Sequence, residues 1–342
     1  MLDDLKYIHQ RDSQDALGIA EKQAAQLEYD FEVPSLSGEY HNVVYAGMGG
    51  SALAALISSS WPGYKLPFEV VRQYDIPAYV SDKTLFIACS YSGNTEETVS
   101  ALAEAEQKGA HVVVIAGGGK LQEIAEQKNH AFVLLPKAAQ PRYAVMYNLK
   151  ALVQVLESAG LVNEQSASAQ MKQTTAFLQN AVQNWLPTVP QASNPAKKLA
   201  MELAGKSVVV YAGPLLAPIA YKWKISCNEN AKNVAWWGAY PEFNHNEFIG
   251  WSSHPVDKPY AVVDLRSNFE HERVQKRFEL SDKLLSGKRP AANVVQAQGE
   301  TLLEQLLWCV NFGDFVTLYL ALLNNVDPGP VDLVEKFKVE LG

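Results

Sequence analysis

The chain is poor in cysteine. Its 342 residues hold three, Cys89, Cys227 and Cys309, far apart and with no C-x-x-C pair. That excludes a disulfide framework and a thiolate zinc site, and leaves three buried free thiols of a reducing compartment. Positive charge is also short: 29 lysines and arginines face 37 acidic residues, a formal net charge of −8. A nucleic-acid partner, which needs a basic surface, is therefore not expected. The start, Met1-Leu-Asp-Asp-Leu-Lys6, lacks both the basic residues and the apolar core of a signal sequence. No apolar run approaches the length of a membrane span, so a cytoplasmic protein with no membrane partner is expected. There is no H-x-x-x-H, and His245-x-Glu247 is the one short ligand pair. It matches the opening of the zinc deaminase signature, but the P-C-x-x-C that must follow is missing, so no metal is expected.

What is present is Ser90-Tyr-Ser-Gly-Asn-Thr-Glu-Glu97, between the apolar run Thr84-Leu-Phe-Ile-Ala-Cys89 and a helix-like run over 96–107. A strand turning through Gly93 into a helix leaves backbone N–H groups unpaired at the positive end of the helix dipole, where an anion is favoured. Ser90, Ser92 and Thr95 crowd that turn with neutral donors suited to a phosphate monoester. Helix capping, by Ser92 or Asn94 with Glu97 completing a capping box, is the plainer alternative. It needs one hydroxyl rather than three. A second element of this kind precedes it: the strand-like Asn42-Val-Val-Tyr-Ala46, then Gly47-Met-Gly-Gly-Ser-Ala52 and a helix. Gly47, Gly49 and Ala52 satisfy the G-x-G-x-x-A dinucleotide fingerprint, yet no acidic residue ends the next strand, Glu69-Val-Val-Arg72. The glycines can instead let backbone amides approach a sugar phosphate, with Ser51 adding a hydroxyl.

Strand patterns at 42–46, 69–72, 84–89, 111–116 and 131–135, with helices between them, predict an α/β fold with a parallel, doubly wound sheet. Ligands of such sheets bind beyond the carboxyl ends of the strands, so the two loops can converge. Gly117-Gly-Gly-Lys120 has Leu121 where a P-loop needs Ser or Thr, and reads as a turn. Gln140-Pro-Arg-Tyr143 precedes an apolar helix over 144–156. Arg142 is either a surface charge or an anion ligand.

Ser207-Val-Val-Val-Tyr-Ala-Gly213 repeats the strand-into-glycine theme, which predicts two domains, 1–155 with a leading helix and 156–342 with linker helices and a C-terminal helix. A helix over 217–228 leads into Asn228-Glu-Asn-Ala-Lys232. Then Pro241-Glu-Phe-Asn-His-Asn-Glu247 sets a polar cluster among aromatics. Glu229 and His245 are a candidate acid–base pair, or a salt-bridging glutamate and a loop histidine. A long apolar helix over 301–324 reads as core or subunit interface, and Asp327-Pro-Gly-Pro330 separates it from a short terminal helix carrying Lys336 and Lys338.

Together these motifs resemble the bifunctional phosphoglucose/phosphomannose isomerases, built from two sugar isomerase (SIS) domains of flavodoxin-like α/β fold, each a parallel sheet flanked by helices. The likeness runs from about residue 40 to the C-terminus. It departs at Leu53-Ala-Ala55, where the family often has Ile-Gly-Gly. The resemblance implies an aldose–ketose isomerase that interconverts glucose 6-phosphate and mannose 6-phosphate with fructose 6-phosphate through a cis-enediol, with no cofactor. Gly50, Ser51, Ser90, Ser92 and Thr95 would hold the phosphate, and Arg142 would orient the C1 and C2 oxygens. Glu229 would be the base, and His245 would assist ring opening from the neighbouring subunit of a homodimer. The site lysine aligns best with Lys338, with Lys336 close by. Three rivals fit parts of the pattern. A SIS-type sugar-phosphate sensor usually carries a basic helix-turn-helix, and none is visible. A glutamine-dependent aminosugar synthase needs an N-terminal cysteine, and the first is Cys89. An NAD-dependent dehydrogenase has only the glycine fingerprint.

Overall fold

The computed structural model describes residues 1–138, 140–253 and 259–341. The chain opens with α1 (Leu5–Arg11) and α2 (Ala16–Lys22). It then alternates through β1 (Asn42–Ala46), α3 (Gly49–Ser58), β2 (Phe68–Val71), β3 (Thr84–Ser90), α4 (Glu96–Gln107), β4 (His111–Ala116), α5 (Gly119–Lys128), β5 (Ala131–Leu134) and α6 (Val145–Ser158). After α7 (Ala167–Val182) and α8 (Pro195–Leu203) come β6 (Ser207–Ala212), α9 (Ala217–Glu229), β7 (Ala235–Ala239), α10 (Glu247–Gly250), β8 (Tyr260–Arg266) and α11 (Glu272–Leu284). Then β9 (Ala292–Gln296), α12 (Leu302–Leu323) and α13 (Asp332–Leu341) complete the order.

Two compact units result, Lys22–Ala176 in one and Met1–Glu21 with Phe177–Gly342 in the other. The division differs from the expected break at 155. The opening helix sits with the later unit, because Tyr7 Oη donates to Leu322 O at 2.7 Å and Lys197 Nζ donates to Asp3 Oδ1 at 3.0 Å.

The sheet of the 22–176 unit has the order β2-β1-β3-β4-β5, every pairing parallel. This is the flavodoxin-like order, whose direction switches between β1 and β3. Side chains alternate across the strands. Val44, Phe86, Ala88, Val112 and Val114 pack on one face with Ala101, Leu102 and Ala105 of α4 and Leu121 and Ala125 of α5. Every residue of β3 is buried, which is why its sequence reads as a continuous apolar run rather than an alternation. Gly93, with φ +71°, can only be glycine: a Cβ there would stand 1.7 Å from Gly118 O.

The other unit repeats the plan with the order β7-β6-β8-β9, again all parallel. The Trp-rich β7 was not foreseen. It is a five-residue edge strand whose two tryptophans are exposed, so it lacks the buried pattern that marked the others. The 22-residue α12 corrects the expectation that no apolar segment reaches membrane-spanning length, but 94% of its most apolar window is buried inside the protein. Its start is fastened by a capping box: Thr301 accepts from the Glu304 N–H, and the Glu304 side chain accepts from the Thr301 N–H.

Candidate active site

In the 22–176 unit the loops after β1 and β3 flank the switch in sheet order, where such sheets take ligands. The hydroxyls of the second loop converge. Ser90 Oγ lies 2.7 Å from Thr95 Oγ1 and 3.4 Å from Ser92 Oγ, and it accepts the Gly93 N–H at 3.1 Å. Thr95 is the N-cap residue of α4 by position, yet its side chain makes no cap bond, and Ser92 Oγ accepts only the Asn94 N–H just ahead of the helix, at 3.3 Å. The capping alternative is thus not realised on the helix itself, and the first-turn N–H groups of α4 face back along the helix axis, toward its N-terminal end where this loop leads in. Asn94 has a different task. Its Oδ1 accepts the Lys120 N–H at 2.9 Å, while Leu121 N donates to Gly93 O at 2.9 Å and Gly117 N to Tyr91 O at 3.1 Å. The Gly117–Lys120 turn therefore buttresses the hydroxyl loop from behind.

The first loop is joined to the second. Ser51, buried at the start of α3, accepts the Tyr91 N–H on its Oγ at 3.2 Å and keeps its own proton to donate. Gly50 serves close approach: a Cβ there would lie 3.0 Å from Pro141 O and 3.4 Å from Arg142 Cα. This packing brings the turn Pro141–Tyr143 against the N-terminus of α3. Arg142 is 6% exposed, with its guanidinium 4.8 Å from the centre of the Tyr143 ring, so it is no surface charge. Cys89, one residue before the cluster, is pushed up to about 11 by burial and is no nucleophile at neutral pH.

The remaining expected residues lie on the other unit, on three separate elements. Glu229, half-buried, is the last residue of α9. Its neighbours are tied down: Asn228 Nδ2 donates to Asn233 O at 2.9 Å, and Asn230 Nδ2 to Thr317 Oγ1 at 3.0 Å. Lys232 Nζ donates to Asp327 O at 2.6 Å and to Pro328 O at 3.3 Å, which holds the Asp-Pro-Gly-Pro segment against this corner. Because α9 runs antiparallel to the strands it joins, Glu229 sits at the opposite end of its own sheet from the loops after β6 and β8. His245 is exposed at the end of the single turn Glu242–His245. Glu247 accepts a hydrogen bond from Tyr211 Oη, which in turn accepts from Trp251 Nε1 at 3.2 Å. A cavity of about 230 Å³ lies there, lined by Val209, Trp236, Glu247, Gly250, Trp251 and Tyr260, none of them an expected site residue. No group of three His, Cys, Asp or Glu among the described residues is placed to hold a metal. Lys338 is exposed on α13 and pairs with Glu335 at 2.8 Å.

Sequence reasoning missed Glu270. The counterpart of the two ligand loops in this unit comprises the turn after β6 and the turn after β8, again beside the switch in strand order. Here the chain supplies its own anion. The Glu270 carboxylate, 4% exposed, lies on the bare face of Gly213 and accepts the Leu215 N–H at 2.8 Å, with Leu216 N–H also bonded. Burial raises its pKa and those two N–H bonds oppose the rise. His271 Nδ1 caps α11 by accepting the Arg273 N–H at 3.0 Å. In this unit the start of α11 is thus capped by a side chain, and a buried carboxylate holds the turn that leads into α9.

Comparison with known proteins agrees with the division of the chain. Residues 39–160 match the SIS domain family, and residues 192–341 match the bacterial phospho-glucose isomerase C-terminal SIS domain. A bifunctional phosphoglucose/phosphomannose isomerase of Caldicellulosiruptor bescii is 33% identical over 324 residues, 94% of this chain and 95% of the relative. A D-glucosamine-6-phosphate 4-epimerase of Sulfolobus acidocaldarius is 33% identical over 222 residues, 65% of this chain and 67% of the relative. Among solved structures, a glucose-6-phosphate isomerase like protein from Thermus thermophilus superposes with a TM-score of 0.66 at 20% identity. That match covers 99% of this chain and 98% of the other and speaks for the fold alone.

Proposed function

Because the chain belongs to the bifunctional phosphoglucose/phosphomannose isomerases, we propose that it interconverts glucose 6-phosphate and mannose 6-phosphate with fructose 6-phosphate. The observation that carries the reading is the hydroxyl cluster of Ser90, Ser92 and Thr95 at the uncapped start of α4. Such a seat suits the phosphate, with Ser51 and the Gly50 backbone beside it. Remote binding energy of the phosphate then positions the reacting carbons.

Glu229 takes the C2 proton of the open-chain aldose while O1 gains a proton, which gives the cis-enediol. Returning the proton to C1, with loss of the O2 proton, makes the ketose. In reverse, delivery to one face of C2 yields the glucose epimer and delivery to the other yields the mannose epimer. Arg142 and Lys338 stabilise the enediolate, and with cations in that role the transfer needs neither a redox cofactor nor a metal. His245, supplied by the second copy of a homodimer, assists ring opening. The exposure of His245 supports a role directed outward from its own chain.

A coupled assay of the purified protein with fructose 6-phosphate, reading both aldose products, tests the proposal. Formation of both is expected, and survives prolonged chelation. Binding without turnover would favour the sensor. The epimerase relative favours a second reading, and conversion of glucosamine 6-phosphate into its C4 epimer with no aldose product from fructose 6-phosphate would select it.

A further inference from the structure

The contact between α9 and α12 is apolar except along one seam. Lys222 and Ser226 on α9 and Asn230, the residue that caps its C-terminus, follow one another at intervals of four residues. On α12, Asp314 and Thr317 lie one turn apart, so the two sets stand on facing sides. Lys222 Nζ donates to Asp314 Oδ1 and, at 3.1 Å, to Ser226 Oγ, and Ser226 Oγ donates to Asp314 Oδ1 at 3.2 Å. One turn further, Asn230 Nδ2 donates to Thr317 Oγ1 at 3.0 Å, and that hydroxyl donates back to Gly313 O at 2.9 Å. All five side chains are buried, Lys222 and Asp314 at 2% and 1% exposure. Trp223, between them in sequence, donates to Cys309 O at 2.9 Å and rests against Gly313, where a Cβ would come within 2.2 Å of its Nε1.

Stability does not account for this seam. Removing a lysine and an aspartate from water costs several kcal/mol per ion, and apolar residues of similar volume generally hold two helices at least as firmly. The seam is not even fully satisfied, since Asp314 Oδ2 finds no hydrogen-bond partner among the described residues. The best-attested use of a buried polar or ionic contact in such a place is to fix register, because a charged pair has one seat where leucines can repack. The seam ends at Asn230, the residue after Glu229.

We infer that the Lys222–Asp314 pair and the Asn230–Thr317 bond are a register lock that holds the last turn of α9, and with it the carboxylate of Glu229, in the position from which it moves the substrate proton. Lys222, Asp314, Asn230 and Thr317 are then positioning residues. The inference rests on the reading of Glu229 as the base.

The test exchanges the charged pair for apolar side chains, Lys222→Met with Asp314→Leu, since either change alone strands a buried charge. Thr317→Val, which removes only the second tie, is made beside it. Melting temperature, KM and kcat for fructose 6-phosphate, and solvent exchange of the transferred proton are measured for each. The double variant is expected to melt at or above the parent temperature and to keep KM within about twofold, while kcat and exchange fall together by about 10- to 100-fold, the scale of an ångström-sized misplacement. Thr317→Val leaves the buried Asn230 amide without its hydroxyl acceptor and is expected to melt somewhat lower. Its kcat and exchange should fall together by more than that loss of stability accounts for, with KM kept, and it decides the matter if the double variant does not fold. Parental kcat in a folded variant overturns the inference. So does a loss of kcat that only tracks a loss of stability in Thr317→Val. Glu229→Gln serves as the separate control: if it retains proton exchange, the base assignment fails, whatever the seam variants do.

Discussion

At the scale of single residues, Ser92 and Thr95 have the plainest consequence. Ser90 is buried and also holds the Gly93 N–H, so its removal disturbs the loop, whereas Ser92 is exposed and Thr95 half-exposed. Replacing both by alanine should leave stability within about 0.5 kcal/mol, as for most surface changes. KM for the sugar phosphate should rise about tenfold or more, since a hydrogen bond to a charged group contributes about 1.5–3 kcal/mol. Inorganic phosphate should lose its competition with substrate in the same variant. Unchanged KM in the folded double variant would remove the phosphate seat from this loop. Glu270 gives a pH prediction of definite sign. Burial raises its folded pKa above the ordinary carboxylate value, so between those two values the folded state binds more protons than the unfolded one, and stability falls as pH rises through that window. Glu270→Gln keeps an acceptor for the Leu215 N–H but cannot ionise. Melting curves from pH 4 to 7 should therefore show the parent losing ground to Glu270→Gln as pH rises. A constant gap would mean that the carboxylate is not desolvated as placed. The hydroxyl loop was legible because its parts lie within six residues of one another. Glu270 was not, because it bonds a backbone N–H 55 residues away and carries no local pattern.

At the scale of elements, the strand–turn–helix unit of β3 and α4 depends on one backbone conformation. Gly93→Ala would combine a left-handed φ with a Cβ inside the Gly118 carbonyl. The strain and the overpacking together should cost about 2–4 kcal/mol, measured by denaturant unfolding. Substrate affinity should fall further than stability, because the Gly117–Lys120 turn that braces the loop is displaced with it. A variant of parental stability would show that the two turns are not in contact. Most elements were readable from periodicity: β1, β4, α4 and the long α12 fall within a residue of their expected ends. The misses share a cause. β7 is an exposed edge strand, and α11 is strongly polar with only Val274, Phe278 and Ser281 buried, so neither carries the apolar rhythm that marks a core element.

At the scale of the whole molecule, apolar surface is left uncovered. Val234, just before the edge strand β7, is 62% exposed, Trp236 and Trp237 on that strand are 49% and 42% exposed, and Ile249 on α10 is 71% exposed. An edge strand with unpaired backbone groups and bare indole rings is costly in water and suits a second copy. Sedimentation should find a dimer at micromolar concentration, and Trp237→Asp should shift it to monomer. If His245 serves the neighbouring copy, that monomer should lose turnover of the cyclic sugar as fully as His245→Ala does. A parental chain that is monomeric and fully active would remove both the dimer and the crossing histidine.

By itself the sequence determined the elements that rest on local chemistry. Hydrophobic period marks most strands and helices, glycine marks the turns, and the motifs from Gly47 to Glu247 mark the family, because each is set within a few residues along the chain. Tertiary structure alone decided what depends on residues far apart. It took Arg142 off the surface, assigned Asn94 to bracing rather than capping, and joined Met1–Glu21 to the later unit. It also seated Glu270 on Gly213 and paired Lys222 with an aspartate 92 residues away. The reason is physical: burial and pairing are properties of the packed interior, and no periodicity along the chain records which polar side chains meet there.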